Sequence, residues 1–125
     1  MFLTILGEPC SKSNSRRLIY SGGRPRIIKS EKALRYLSDV RLQIKKINPL
    51  LTGDLEMNMR LYYASRRPDL DPSLIFDGLQ GLIYMNDRQV KRFTCEWGLD
   101  PKRPRAEIEI IQLPTHWGKK PDKAA

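Results

Sequence analysis

Two aspartates two positions apart, Asp69 and Asp71, stand in a strongly basic chain, and a third, Asp87, follows an apolar stretch. In an extended segment alternate residues share one face, about 6.5–7 Å apart at Cα, so two carboxylates at this spacing can converge on one cation. Pro68 favours the extended form, because its ring fixes its own φ and restricts Arg67 before it. Asp87 joins the pair if the intervening helix doubles back along a sheet. Clustered carboxylates suit Mg2+, a hard cation that takes oxygen ligands and keeps positions for water and substrate phosphate. Two such ions activate water and stabilise the leaving oxygen in phosphodiester hydrolysis. Asp71-Pro72 equally has the residue types of a helix start, Asp as N-cap and Pro in the first turn. A cap accounts for Asp71, but not for Asp69 or Asp87.

The remaining composition narrows the chemistry. In 125 residues, 23 Lys and Arg stand against 14 Asp and Glu, a net charge of +9. Such a surface draws polyanions by long-range attraction and counterion release. The single histidine, His116, lies near the C-terminus, which disfavours a His-based triad, a zincin or an HNH-type nuclease. Cys10 and Cys95 are the only cysteines, with no CxxC pair, so neither a disulfide scaffold nor a cysteine zinc site is expected. No apolar run approaches the ~20 residues that span a bilayer. Met1 to Leu6 is too short for a signal-peptide core. A cytoplasmic protein is the expectation.

Elements that could position the aspartates are legible from periodicity. Phe2–Leu6 predicts a short buried strand with Phe2 in the core. A polar loop over 8–17 follows, carrying Lys12, Asn14, Arg16 and Arg17. Leu18–Tyr20 and Arg26–Ile28 predict a hairpin across Ser21-Gly22-Gly23. Ser30 is an N-cap candidate with Glu31 in the first turn. Leu34, Leu37, Val40, Ile44 and Ile47 then recur at helical spacing, opposite Lys32, Arg35, Lys45 and Lys46. Leu55–Tyr63 alternates without a break and predicts a strand. A helix is expected over Leu74–Ile83, then strands over Val90–Trp97 and Arg105–Leu113. The fold class is α+β: a single domain over 1–113, a mixed β-sheet with helices packed on it. Residues 114–125 are expected to form a flexible tail.

The order Asp69-Leu70-Asp71, Phe76-Asp77-Gly78-Leu79 and Asn86-Asp87-Arg88-Gln89-Val90 resembles the RusA family of Holliday junction resolvases. That family carries a DxDN segment, an FDxL helix and a D-D-x-Q-V loop. The stretch from Pro9 through Ser13-Asn14-Ser15-Arg16 is similar to its first loop. The resemblance implies a RusA-like fold and a homodimer that binds four-way DNA junctions. It also implies cleavage of two opposed strands with Mg2+, Mn2+ substituting, with no small-molecule cofactor and no membrane. Carried over by position, Asp69, Asp71 and Asp87 are the catalytic and metal-binding residues. Three departures stand out. Pro72 replaces the Asn of DxDN, Asn86 replaces the first Asp of the acidic pair, and the family's Lys after DxD is absent, since no Lys lies between Asp69 and Val90.

DNA contacts are expected from Lys12, Asn14, Arg16 and Arg17, with Arg67, Arg88 or Lys91 able to supply the missing cation. Asp77 is expected to be a solvated or ion-paired helical residue rather than a ligand, and Trp97 to lie in the core or a dimer interface. The resulting expectation is an Mg2+-dependent, structure-selective endodeoxyribonuclease of recombination and repair that nicks junctions symmetrically. Two alternatives remain open: a junction-binding protein that has lost catalysis, as Pro72 and the missing lysine suggest, and a phosphodiesterase acting on flaps or RNA.

Overall fold

The computed structural model describes residues 1–10 and 16–115. Lys12, Asn14, His116 and all but the first two residues of the expected 114–125 tail lie outside the described residues. In chain order the elements are β1 (Phe2–Leu6), β2 (Arg16–Ser21), β3 (Arg24–Lys29), α1 (Glu31–Gln43), β4 (Leu55–Tyr63), α2 (Ser73–Leu79), β5 (Val90–Leu99) and β6 (Arg105–Gln112). This is the α+β arrangement expected. A mixed four-stranded sheet runs in the order β1-β6-β4-β5, and β2 pairs with β3 as a separate ribbon.

The strict alternation in β4 explains its central place. Leu55, Met57, Met59, Leu61 and Tyr63 are all buried on one face. β6 pairs antiparallel with β4 and adds Ala106, Ile108 and Ile110 to that face. β5 pairs parallel with β4. Parallel neighbours need a crossover, and α2 supplies it. Both helices contribute to the one core cluster with the apolar face of the sheet. Each fully buried Leu or Ile there contributes about 1.5–3 kcal/mol. At the crossing of the helices a Cβ on Gly78 would lie 3.1 Å from Val40 Cγ1, so the absence of a side chain sets how closely they approach.

The other face of the sheet carries polar and charged side chains. Arg60 pairs with Glu96 and Arg92 with Glu56, each at 3.1 Å. Arg105 bridges Asp100 at 2.7 Å and lies over the Tyr62 ring. Asp100 is held below the usual carboxylate range, chiefly by the Arg105 hydrogen bond.

Several expectations change. Phe2 is 80% exposed rather than core. β1 is an edge strand, and alternation turns Phe2, Thr4 and Leu6 to the uncovered face. In α1, Ser30 does cap the helix by accepting from Ala33 N–H. Its buried stripe is Ala33, Tyr36, Leu37 and Val40, with Leu34 exposed. α2 stops at Leu79, four residues early, and Gly81 follows with φ +84°. The Leu82 and Ile83 N–H groups both donate to Leu79 O, closing the turn. The ribbon is longer than expected because Gly22 and Gly23, at φ +60° and +77°, supply the two left-handed residues of a tight hairpin turn.

Candidate active site

Asp69 and Asp71 lie on the segment joining β4 to α2, which is held by a few defined contacts. Trp97 stacks on Tyr63, with ring centroids 5.7 Å apart, and its indole N–H donates to Pro68 O at 3.1 Å. The Arg66 guanidinium lies 6.0 Å from the same indole. Glu8 accepts from the Ala64 N–H, tying the end of β4 to the segment after β1. The Asp71 N–H makes a long contact of 3.5 Å to the Tyr63 hydroxyl. Trp97 is therefore a support beneath the loop, a role in which its N–H and its ring are both used.

Asp71 is not the N-cap that the sequence suggests: it closes an Asx-type turn just ahead of α2, whose N-cap is Pro72 with no side-chain cap bond. Asp71 Oδ1 accepts from the Ser73 N–H at 2.8 Å and from the Ser73 hydroxyl. The cap falls one residue later than expected because helix geometry begins only at Ser73, and Pro72 O accepts from Ile75 and Phe76 N–H. Asp69 is exposed on the loop.

Asp87 is positioned by the amide side chains around it. Asn86 and Gln89 form a reciprocal capping box around the 3-10 turn Asp87–Gln89. Gln89 Oε1 accepts from the Met85 and Asn86 N–H groups, and its Nε2 donates to Leu51 O and Gly53 O. Gln80 Oε1 accepts from the Asp87 N–H. The polar residues of the Asn86–Gln89 motif thus build a rigid turn that presents an exposed Asp87. The Phe76–Leu79 motif is structural too. Phe76 meets Phe93 edge-on at 5.4 Å, Leu79 is buried, and Asp77 is ion-paired with Lys29 at 3.7 Å, as expected of a helical surface residue.

The helix doubles back as anticipated, but this carries Asp87 away from the pair. α2 runs from the loop at the end of β4 towards the start of β5, where Val90 is in register with Leu55. Asp69 and Asp71 precede the helix and Asp87 follows it, with a helical span of roughly 10 Å between. Among the described residues, no three His, Cys, Asp or Glu side chains are grouped so as to hold a metal ion. The donor chemistry suits Mg2+, but the carboxylates among the described residues do not by themselves form its nest.

Arg67 is exposed on the loop, whereas Arg88 and Lys91 flank the Asp87 turn and β5, all three facing solvent. The backbone of Arg16 and Arg17 opens β2. Sequence reasoning missed a crevice lined by Glu8, Cys10, Lys32, Arg35, Tyr36 and Asp39. The Tyr36 hydroxyl there is buried and has no hydrogen-bond partner among the described residues. Burial raises the pKa of Tyr36 far above the phenol range. Burial also raises the Cys10 thiol, with nearby Lys32 opposing and Asp71 reinforcing the shift, so Lys32 and Asp71 lie within electrostatic reach of the same sulfur. Burial and then Asp71 push Cys95 up to about 11. Periodicity places Lys32 only on a solvated helix face; its place beside Cys10 in the crevice arises from packing.

Compared with known proteins, the chain matches the family model described as Endodeoxyribonuclease RusA over residues 7–111. The match spans β2 through β6 and includes Asp69, Asp71 and Asp87. No curated protein is matched by sequence.

Proposed function

From the premise that the chain belongs to the RusA endodeoxyribonuclease family, we propose that it is a structure-selective nuclease that resolves four-way DNA junctions as a homodimer. The observation that carries this reading is the family match across nearly the whole described fold, with three exposed or half-buried aspartates set in a basic chain. Asp69, Asp71 and Asp87 are proposed as the residues that serve hydrolysis. Lys12, Asn14, Arg16, Arg17, Arg67, Arg88 and Lys91 are proposed to contact the phosphate backbone, which positions the protein without reading sequence. Paired nicks follow from two-fold symmetry, since each copy brings one site.

A bound Mg2+ or Mn2+ supplies Lewis acidity and a more acidic water. One chain alone does not gather the carboxylates, so this reading requires further ligands from a second copy or from DNA phosphate. The residues themselves have separate tasks. The Ser73 N–H and hydroxyl orient the Asp71 carboxylate, Trp97 fixes the loop at Pro68, and Gln80 and Gln89 hold the Asp87 turn.

The test is cleavage of a synthetic four-way junction across a titration of Mg2+ and Mn2+, with linear duplex, flap and RNA substrates alongside. Symmetric junction nicks that require the metal are expected. The second reading, a junction-binding protein without catalysis, is favoured by the separation of Asp87 from Asp71 across α2. Tight, salt-sensitive junction binding with no cleavage at any metal concentration would establish it instead.

A further inference from the structure

The β2–β3 ribbon pairs with no strand of the main sheet. Two-stranded ribbons are marginally stable in water by themselves, and this one leaves large apolar side chains in solvent: Leu18 is 58% exposed, Tyr20 73% and Ile27 70%. The register explains the pattern. Leu18 faces Ile27 and Tyr20 faces Pro25 across the strands, giving one apolar and aromatic face. Arg24 and Arg26 belong to the opposite face, and both are exposed. From Arg16 to Lys29 the ribbon holds Arg16, Arg17, Arg24, Arg26 and Lys29, and no acid. Its base is tied to α2 by the Lys29–Asp77 ion pair.

We propose that this ribbon is a DNA-binding arm that engages the branch point. Arg24 and Arg26 take phosphates, and Tyr20, flanked by Pro25, stacks on a base left unpaired or unstacked there. Positive charge combined with an exposed aromatic is the pairing that binds single-stranded nucleic acid, in which phosphates are neutralised and base faces are covered. A two-stranded ribbon also fits the width of a major groove. Charge complementarity selects DNA over a second copy of the chain. Ribbon against ribbon sets like charges together, and on the open sheet face Glu56, Glu96 and Glu107 are already paired with arginines. The proposal rests on the nuclease reading only for its choice of a branched DNA.

The experiment uses the full chain with labelled four-way junction and linear duplex, without divalent cation, so that binding is measured apart from cutting. Arg24→Ala/Arg26→Ala is expected to reduce the slope of log affinity against log salt by about 1.8 on both DNAs, two phosphate contacts at ~0.9 each. Tyr20→Ala is expected to weaken junction binding roughly 10-fold, as loss of one base stack does, while leaving duplex binding unchanged. Thermal melts confirm that the variants fold, and sizing follows their oligomeric state. An unchanged salt slope overturns the arm, as does a Tyr20→Ala/Ile27→Ser chain that loses self-association but keeps wild-type DNA affinity. If wild type cuts junctions and the ribbon variants bind and cut equally well, the arm fails and the nuclease reading stands. If binding depends on the ribbon but nothing is cut, the arm stands and the nuclease reading fails. Absence of any DNA binding by wild type overturns both.

Discussion

Replacing Asp71 by asparagine or by alanine separates its structural task from its chemical one. The carboxylate accepts two hydrogen bonds from Ser73 through a single oxygen, Oδ1. Asparagine keeps an oxygen at that position, and Asn closes the same side-chain turn to the backbone two residues on as Asp does. Asp71→Asn should therefore hold α2 to within about 0.5 kcal/mol of wild type. Alanine removes the acceptor altogether and should cost about 1 kcal/mol, the net worth of a typical hydrogen bond. In a chain of this length that lowers Tm by roughly 4 °C. Catalysis should respond differently. On the proposed metal-binding role, loss of the charge would remove an oxygen donor to the cation, and a loss of ~4 kcal/mol in transition-state stabilisation corresponds to about 10^3-fold in rate. Both variants should lose that much junction cleavage, and both should bind the junction at least as well as wild type, since a negative charge has been removed near phosphate. Melting by circular dichroism, junction binding and single-turnover cleavage measure the three quantities. An active Asp71→Asn chain would refute the catalytic assignment. A melting point for Asp71→Asn as low as that of Asp71→Ala would refute the structural role of the Asp71–Ser73 turn.

Other outcomes follow from the contacts around the site. Gln89→Ala deletes four hydrogen bonds, two that close the Asp87 turn on Met85 and Asn86 and two that join it to Leu51 and Gly53, and should cost about 2–3 kcal/mol in a chemical-denaturation measurement. Trp97→Phe keeps a ring against Tyr63 but loses the bond to Pro68. Cleavage should fall about 10-fold with junction affinity unchanged, because the loop carrying Asp69 and Asp71 is less fixed; an equal fall in affinity would contradict a positioning role. Cys95, with a thiol pKa of about 11 against an ordinary 9.0, should be alkylated at pH 8 about 100-fold more slowly than an unperturbed thiol, since two units of pKa reduce the thiolate that much. The same shift gives its linkage sign: a raised folded pKa contributes stability that is intact below pH 9 and is lost as pH climbs towards 11. Urea midpoints taken across that window should fall, and a Cys95→Ala chain should fall less.

Legibility differed by the range of the interaction. The alternation of Leu55–Tyr63, the stripe of α1 and the glycine pair at the ribbon turn are local properties, and a period or a required backbone conformation reveals each of them. Phe2 illustrates the limit. Its apolar character suggests burial, yet an edge strand in this sheet has no layer over that side. The Asn86–Gln89 motif was visible as a pattern, but its work as a clamp depends on carbonyls of Leu51 and Gly53, which lie 38 and 36 residues away. Lys32 and Asp71, almost forty positions apart, both act on the Cys10 thiol only because the fold brings their segments to the same side of it.

By itself the sequence determined the α+β class, the strand and helix periods, the excess of positive charge and the three aspartates whose order marks the family, because all of these reside in residue type and short spacing. Tertiary structure alone decided that α2 separates Asp87 from Asp69 and Asp71, since a parallel crossover must carry the chain from one end of a strand to the other. It also decided that the ribbon stands apart from the main sheet with its apolar face in solvent, because pairing partners and covering layers are relations between distant segments.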